Sequence, residues 1–305
     1  MPLSKTERII RVRKTREAKM QTAKGQGMDK FDVVIVPKTG WLDINFQELW
    51  KYRDLISLFV KRNFISQYKQ TILGPAWAIV QPLLTTVFFT VIFGTMAGLS
   101  AEGVPSFLFY MSGTIAWTYF SSCLTNTADT FTKNASILGK VYFPRLVMPI
   151  STVLTNLISL SIQFLMFLCF LIYYWAKGQV HPNNYVLLLP LLVLQMAMLS
   201  LGSGIIVSAL TTKYRDLQML VSFGVQLWMY GTPVAYDIRI IPQAFLKLFM
   251  LNPMTPIIIT VRKALLGIGE FQLHYYLCGW CVTIVILLAG IVLFNHVEKT
   301  FMDTV

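Results

Sequence analysis

The sequence predicts an all-α integral membrane protein: six transmembrane helices, an N-terminal amphipathic interface helix, and short re-entrant gate helices between spans five and six. Three observations carry that prediction. Of the 305 residues, 55% are hydrophobic and only 13% charged, with a mean hydropathy of +0.60. Soluble domains carry about 25% charged residues, so this chain has too few charges to coat a large water-facing surface. The charges are also segregated. They leave uncharged runs of the roughly 20 residues that a helix needs to cross a hydrocarbon core of about 30 Å. Finally, the basic residues fall unequally on the two sides of those runs. Four cysteines in such a chain exclude a disulfide-stapled secreted protein, and the apolar content excludes disorder.

The elements follow in order. Residues 1–48 form a basic N-terminal segment, and no signal peptide is expected, because the basic start is followed by polar sequence rather than a short apolar core. Residues 49–74 read as an interface helix, Leu49 to Ile72, stopped by Gly74-Pro75. Ile56, Val60, Phe64 and Tyr68 recur every four residues, with Arg62, Ser66 and Lys69 on another face, the pattern of a basic helix lying at a membrane surface. Residues 75–305 hold the six spans: 76–96, 107–124, 146–176, 185–212, 217–236 and 275–294. The run 248–261 is too short to cross and is interrupted by Asn252-Pro253 and Pro256. It reads as a broken or re-entrant piece, a backbone tolerated only against protein or a water-filled cavity.

Residues 1–74 hold 15 lysines and arginines. Placing them in the cytoplasm puts 21 basic residues on that side and 5 on the other, so both termini are expected to be cytoplasmic. The net charge of +12 then points to anionic lipid headgroups and phosphates as partners and not to nucleic acid, which would suit a basic tail on a soluble domain.

The spans lack Asp, Glu, Lys, Arg and His. Ion-coupled transporters use such groups at mid-membrane, so energy for any transport is expected from another polypeptide. The chain has no G-x-x-x-x-G-K-[ST] loop of its own. His181, His274 and His296 are scattered, and no Cys/His cluster has metal spacing. Cys278 and Cys281 match C-x-x-C but sit at the start of the last span as two small helix residues. The sequon Asn134-Ala-Ser136 falls on the cytoplasmic side. No catalytic or metal site is expected.

Six motifs in order then resemble the bacterial polysaccharide-exporting ABC transporter permeases, the membrane subunits that export O-antigen, capsule or teichoic-acid chains. They are Arg62-Asn-Phe-Ile-Ser-Gln-Tyr-Lys-Gln-Thr-Ile-Leu-Gly-Pro-Ala-Trp with Gln81-Pro-Leu, Lys140-Val-Tyr-Phe-Pro-Arg145 with Pro149, and Lys213-Tyr-Arg-Asp-Leu217. Further along come Trp228-Met-Tyr-Gly-Thr-Pro-Val-Ala-Tyr236, with Thr232 where the family has Ser, then Leu251-Asn-Pro-Met254 and Arg262-Lys-Ala-Leu-Leu-Gly267. The similarity runs from about residue 41 to the C-terminus, and residues 1–40 carry none of it.

The resemblance implies a homodimer in the bacterial inner membrane with a passage at the subunit interface. It also implies two copies of a separate ATP-binding cassette subunit, which holds the ATP and magnesium, so that this chain carries no cofactor. Lys140, Phe143, Pro144 and Arg145 would couple to that ATPase, with Phe143 and Pro144 as a stiff apolar knob. The implied substrate is a polysaccharide on a polyprenyl diphosphate. Arg62, Lys69 and the Leu73-Gly74 turn are placed to meet the diphosphate, next to the start of the first span, where free N–H groups favour anions. Phe88, Phe89, Phe93, Trp117, Trp228 and Tyr230 are candidates to line a glycan channel, since aromatic faces pack on sugar rings without fixing a register. Tyr119 and Phe120 belong to the same set. The stretch 232–267, with Pro233, Tyr236, Arg239, Asn252, Pro253 and Arg262, is the candidate external gate. Three other readings stay open on the residues alone: a permease of the same architecture for small lipids or drugs, a membrane-embedded glycan polymerase or ligase, and a structural or receptor subunit.

Overall fold

In a computed structural model, residues 46–69, 71–99, 103–138, 140, 141, 143–213 and 216–300 are described, all within one unit, Ile44–Val305. Nearly all of the N-terminal segment, Glu102, and the Tyr214-Arg215 pair of the Tyr-Arg-Asp turn lie outside the described residues. Every regular element among those described is helical.

The interface segment is two pieces, not one. A short helix, Phe46–Lys51, breaks at Tyr52, and α1 (Arg53–Tyr68) follows. It ends four residues earlier than predicted, because Lys69 turns extended (φ −65°, ψ 134°). Gly74 then takes φ +54°, a conformation open to glycine without steric cost, and the turn Gly74–Ala76 leads into α2 (Trp77–Phe89). Pro82 sits inside α2 and lacks the N–H of a regular helical turn. The helix continues as a π-helical stretch, Thr90–Met96.

The remaining long helices are α3 (Ser106–Ala128), α4 (Val147–Ala176), α5 (Leu189–Lys213), α6 (Leu217–Tyr230), α7 (Gln243–Leu251), α8 (Met254–Leu266) and α9 (Leu273–Thr300). Among the described residues, four stretches are long and apolar enough to cross a membrane: Gly74–Met96, Val147–Ala176, Asn184–Thr211 and Leu273–Phe294. The α7–α8 pair, bent by 98°, would make a fifth if counted as one span. Each of the six uncharged runs does carry a helix, but two fall short of that standard for different reasons. α3 has the length, yet its serines, threonines and Asn126 lower its hydropathy, and 16 of its 23 residues are buried. It is solvated by protein, not by lipid. α6 stops at Tyr230 after 14 residues, about 21 Å at 1.5 Å per residue, short of a core of about 30 Å.

α3 is the centre. Its side chains join those of α4, α5 and α8 in the main core, where Phe120, Phe167, Leu192, Leu199 and Ile257 are fully enclosed. α5 meets its neighbours on two faces. A methyl group at Gly202 would lie 2.7 Å from the Cα of Leu287 in α9, and one at Gly290 would lie 2.7 Å from the Gly202 carbonyl oxygen. On the other side, Gly204 faces Thr127 of α3. Small residues let helix backbones touch where lipid supplies no hydrophobic drive to associate. The obstruction at Gly202 is backbone, which cannot swing aside. Gly202→Ala is therefore expected to destabilise the chain by about 2 kcal/mol, the scale of overpacking, measured as a fall in unfolding temperature in detergent. Gly224→Ala in α6, where the added methyl meets nothing within 4 Å, should leave it unchanged.

Candidate functional site

Two groups of the sequence-picked residues come together, one at each end of α3. At its N-terminal end, the side chain of Arg262 from α8 is buried, only 4% exposed. Its Nη1 donates to the carbonyls of Pro233 (2.7 Å) and Tyr236 (3.3 Å), and its Nη2 to that of Val234 (2.8 Å). The guanidinium carbon lies 3.7 Å from the centre of the Phe109 ring. Gly113 leaves the room, since a methyl group there would come 2.9 Å from Nη2. The loop after α6 folds where it does because three of its carbonyls wrap this cation.

Asn252, at the α7–α8 corner, is the second tie. Its Oδ1 accepts from the Trp228 indole N–H (3.1 Å) and the Met254 backbone N–H (3.1 Å), while its Nδ2 donates to the Thr232 hydroxyl (2.8 Å). The 98° bend is thus stapled to the end of α6. Pro253 starts α8 as its N-cap residue. Arg239 reaches Asp237 at 2.7 Å on the rim. Burial works to raise the Asp237 carboxyl, but the hydrogen bonds from Arg239 together with the charges of Arg239 and Arg262 hold it below its ordinary value. Its contribution is complete above the unfolded carboxylate range and is lost only as pH falls through the lowered value.

The aromatics divide. Trp228 stands edge-on to Trp117 (6.3 Å) and Phe120 (5.1 Å). Trp117, Tyr119 and Phe120 are buried within the chain, and α3 is covered on nearly every face. Phe89 packs against Phe93 and Tyr110. Phe88 and Tyr230 point away from the chain, 62% and 52% exposed.

At the other end of α3, Phe59 of α1 packs with Phe143 (5.7 Å between rings), Val147 and Met148. Phe143 is therefore no outward knob. It is buried and fastens the loop to the interface helix, leaving Lys140 and Val141 exposed and Pro144 and Arg145 half-buried. Phe59, outside the predicted Ile56/Val60/Phe64/Tyr68 row, is the most buried residue of α1. Arg62 is already engaged: its Nη2 donates to Asn63 (3.0 Å) and Asn134 (2.9 Å), and it lies over the Phe59 ring. Lys69 and Leu73 are exposed, and Gly74 has open space around it. Sequence reading missed Phe109, Gly113 and Asn134, whose parts are set by partners far along the chain.

Removing the Arg262 side chain leaves three loop carbonyls without donors. Arg262→Ala is expected to cost about 3 kcal/mol, the upper end for unsatisfied buried groups, in the thermal unfolding of the purified protein. Arg262→Lys should recover only part of this, because a point charge cannot span the carbonyls as a planar fork does.

The chain matches the ABC-2 type transporter family over residues 54–266. A relative in Klebsiella pneumoniae, an O-antigen export system permease protein RfbA, is 28% identical over 255 residues, covering 82% of this chain and 94% of the relative. The protein of the same description in Myxococcus xanthus is 28% identical over 262 residues, 85% and 98% of the two chains. The polysialic acid transport protein KpsM of Escherichia coli is 22% identical over 235 residues, 76% and 89%. With more than two thirds of its length inside the family match, this chain belongs to the ABC-2 type transporter family of membrane proteins.

Proposed function

We propose that the chain is the membrane permease subunit of an ATP-driven exporter that moves polyprenyl-diphosphate-linked polysaccharide, of O-antigen, capsule or teichoic-acid type, out of the bacterial cytoplasm. The observation that carries this reading is the near full-length match to permeases described as exporting O-antigen. ATP and magnesium belong to two copies of an ATP-binding cassette subunit, and the permease sits in the inner membrane with both termini cytoplasmic. In this reading α3 and α6 complete a set of six spans, and the α7–α8 bend forms re-entrant gate helices on the outer side.

What the chain leaves uncovered supports a homodimer. α6 buries only Val225, while Met219 (83% exposed), Leu220, Phe223, Leu227 and Tyr230 face outward. α2 and its π-helical continuation likewise present Leu84, Val87, Phe88, Val91 and Ile92. A passage between two copies would be walled by these two helices, and the exposed Phe88 and Tyr230 suit sliding contact with sugar faces. Arg262 and Asn252 would hold the gate loop as one body, and α1 with the Lys140–Arg145 loop would carry motion from the ATPase.

The reading has a direct cellular test. Deleting the gene should strip the glycan from the surface while full-length lipid-linked polymer accumulates on the cytoplasmic side. Short unpolymerised intermediates would instead support a glycan polymerase, and an unchanged glycan would return the case to a small-molecule permease. A double variant, Arg62→Ala with Lys69→Ala, should impair export with expression and ATPase assembly intact, and normal surface glycan in that strain would remove the proposed diphosphate site.

A further inference from the structure

α4 is an apolar span with a polar row along one face. Thr152, Asn156, Ser159 and Gln163 are spaced by four, three and four residues, which puts them on one side of a helix. Two adjoining cavities open along this row, between α4, α3 and the segment that runs from α1 into α2. The outer, of about 330 Å³, reaches from Asn63 and Lys133 to Asn156; the inner, of about 100 Å³, reaches from Gln67 and Trp77 past Tyr119 to Gln163. Gln67 and Asn156 line both. The cleft lies within one copy of the chain and is distinct from the outward faces of α2 and α6.

Some of its polar groups simply hold helices together. Asn126 donates to Asn156 (3.4 Å), the Thr130 and Thr152 hydroxyls pair at 3.2 Å, and Tyr68 pairs with Ser159 at 3.3 Å. Such pairs are ordinary interhelical contacts in a membrane. Gln163 is different. It is only 5% exposed, it lines the inner cavity, and its Oε1 has no hydrogen-bond partner among the described residues. An unmet buried acceptor is costly, and Gln163 borders the cavity, where a donor from a ligand would meet it.

The chemistry of the lining selects the ligand class. The interior offers neutral amides and hydroxyls, which both donate and accept, and Trp77 and Tyr68 supply ring surface. Lys133, at the outer end, is engaged with Asp129 at 3.0 Å, and Arg62, which lines neither cavity, is held by Asn134. Hydroxyl-rich neutral molecules fit this arrangement, and a free anion does not. We propose that the cleft holds a sugar ring, the one next to the diphosphate of the lipid-linked glycan, before the polymer passes outward. This rests on the export reading given above.

The test compares two probes on the full chain in lipid nanodiscs: a polyprenyl diphosphate bearing one N-acetylhexosamine, and the same polyprenyl diphosphate with no sugar. The unaltered chain should bind the sugar-bearing probe at least tenfold more tightly. Gln163→Leu, and separately Gln67→Ala at the exposed rim, should erase most of that preference while leaving affinity for the bare lipid as it was. Equal affinity for both probes in the unaltered chain overturns the sugar site and leaves the export reading standing. So does a full preference retained in both variants, which would make the cleft a water-filled polar seam. Should Gln163→Leu fail to assemble, Gln67→Ala decides alone. Binding of neither probe removes the cleft and counts against the export reading as well.

Discussion

One buried cation organises an end of this protein. Arg262 has carbonyl oxygens, an aromatic face and a glycine-sized gap around it, with no carboxylate in direct contact among the described residues. Carbonyl dipoles and a ring quadrupole can stabilise a guanidinium away from water, but only if each is held in place. That requirement fixes the loop after α6, the position of α8 against α3, and the small residue at 113. Asn252 extends the same logic by tying the Trp228 indole, the Thr232 hydroxyl and the start of α8 to one amide. The bend between α7 and α8 is consequently part of one hydrogen-bonded unit with the end of α6.

The rest of the molecule obeys the rule that lipid offers helices no hydrophobic reason to associate. Close backbone contact replaces it between α5 and α9 at Gly202 and Gly290, and hydroxyl and amide pairs replace it between α3 and α4. α3 can be less apolar than α4, α5 and α9 because it is surrounded by protein. α2 and α6 show the opposite condition, apolar faces with no cover from their own chain, and these are the surfaces that the proposed second copy would close.

Much of this was legible in the residues. Each of the six uncharged runs carried a helix, and Gly74-Pro75 and Asn252-Pro253 marked real breaks. The order of six short motifs pointed to the family that the comparison confirmed. The gate candidates Pro233, Tyr236, Asn252 and Arg262 do meet in space, although their contacts were not readable, because a carbonyl clamp depends on backbone geometry that side-chain identity does not encode. The burial of Phe143 and Trp117 within the chain was not readable for a shared reason. Apolar character says that a side chain avoids water, but not whether it does so against lipid, a partner or its own chain. The length of α6 was overestimated because no charge marks the turn at Gly231, where the helix ends on Thr232 and Pro233.

The central claim is that this chain carries a lipid-linked glycan across a membrane when a partner hydrolyses ATP. The most direct measurement reconstitutes the chain with its ATP-binding subunit in proteoliposomes loaded on the nucleotide-accessible side with fluorescent lipid-linked oligosaccharide, and follows protection of the glycan from an added glycosidase. The account predicts that protection rises with ATP and not with a non-hydrolysable analogue. ATP-driven movement of a hydrophobic dye, with the glycan remaining fully cleavable, would contradict it.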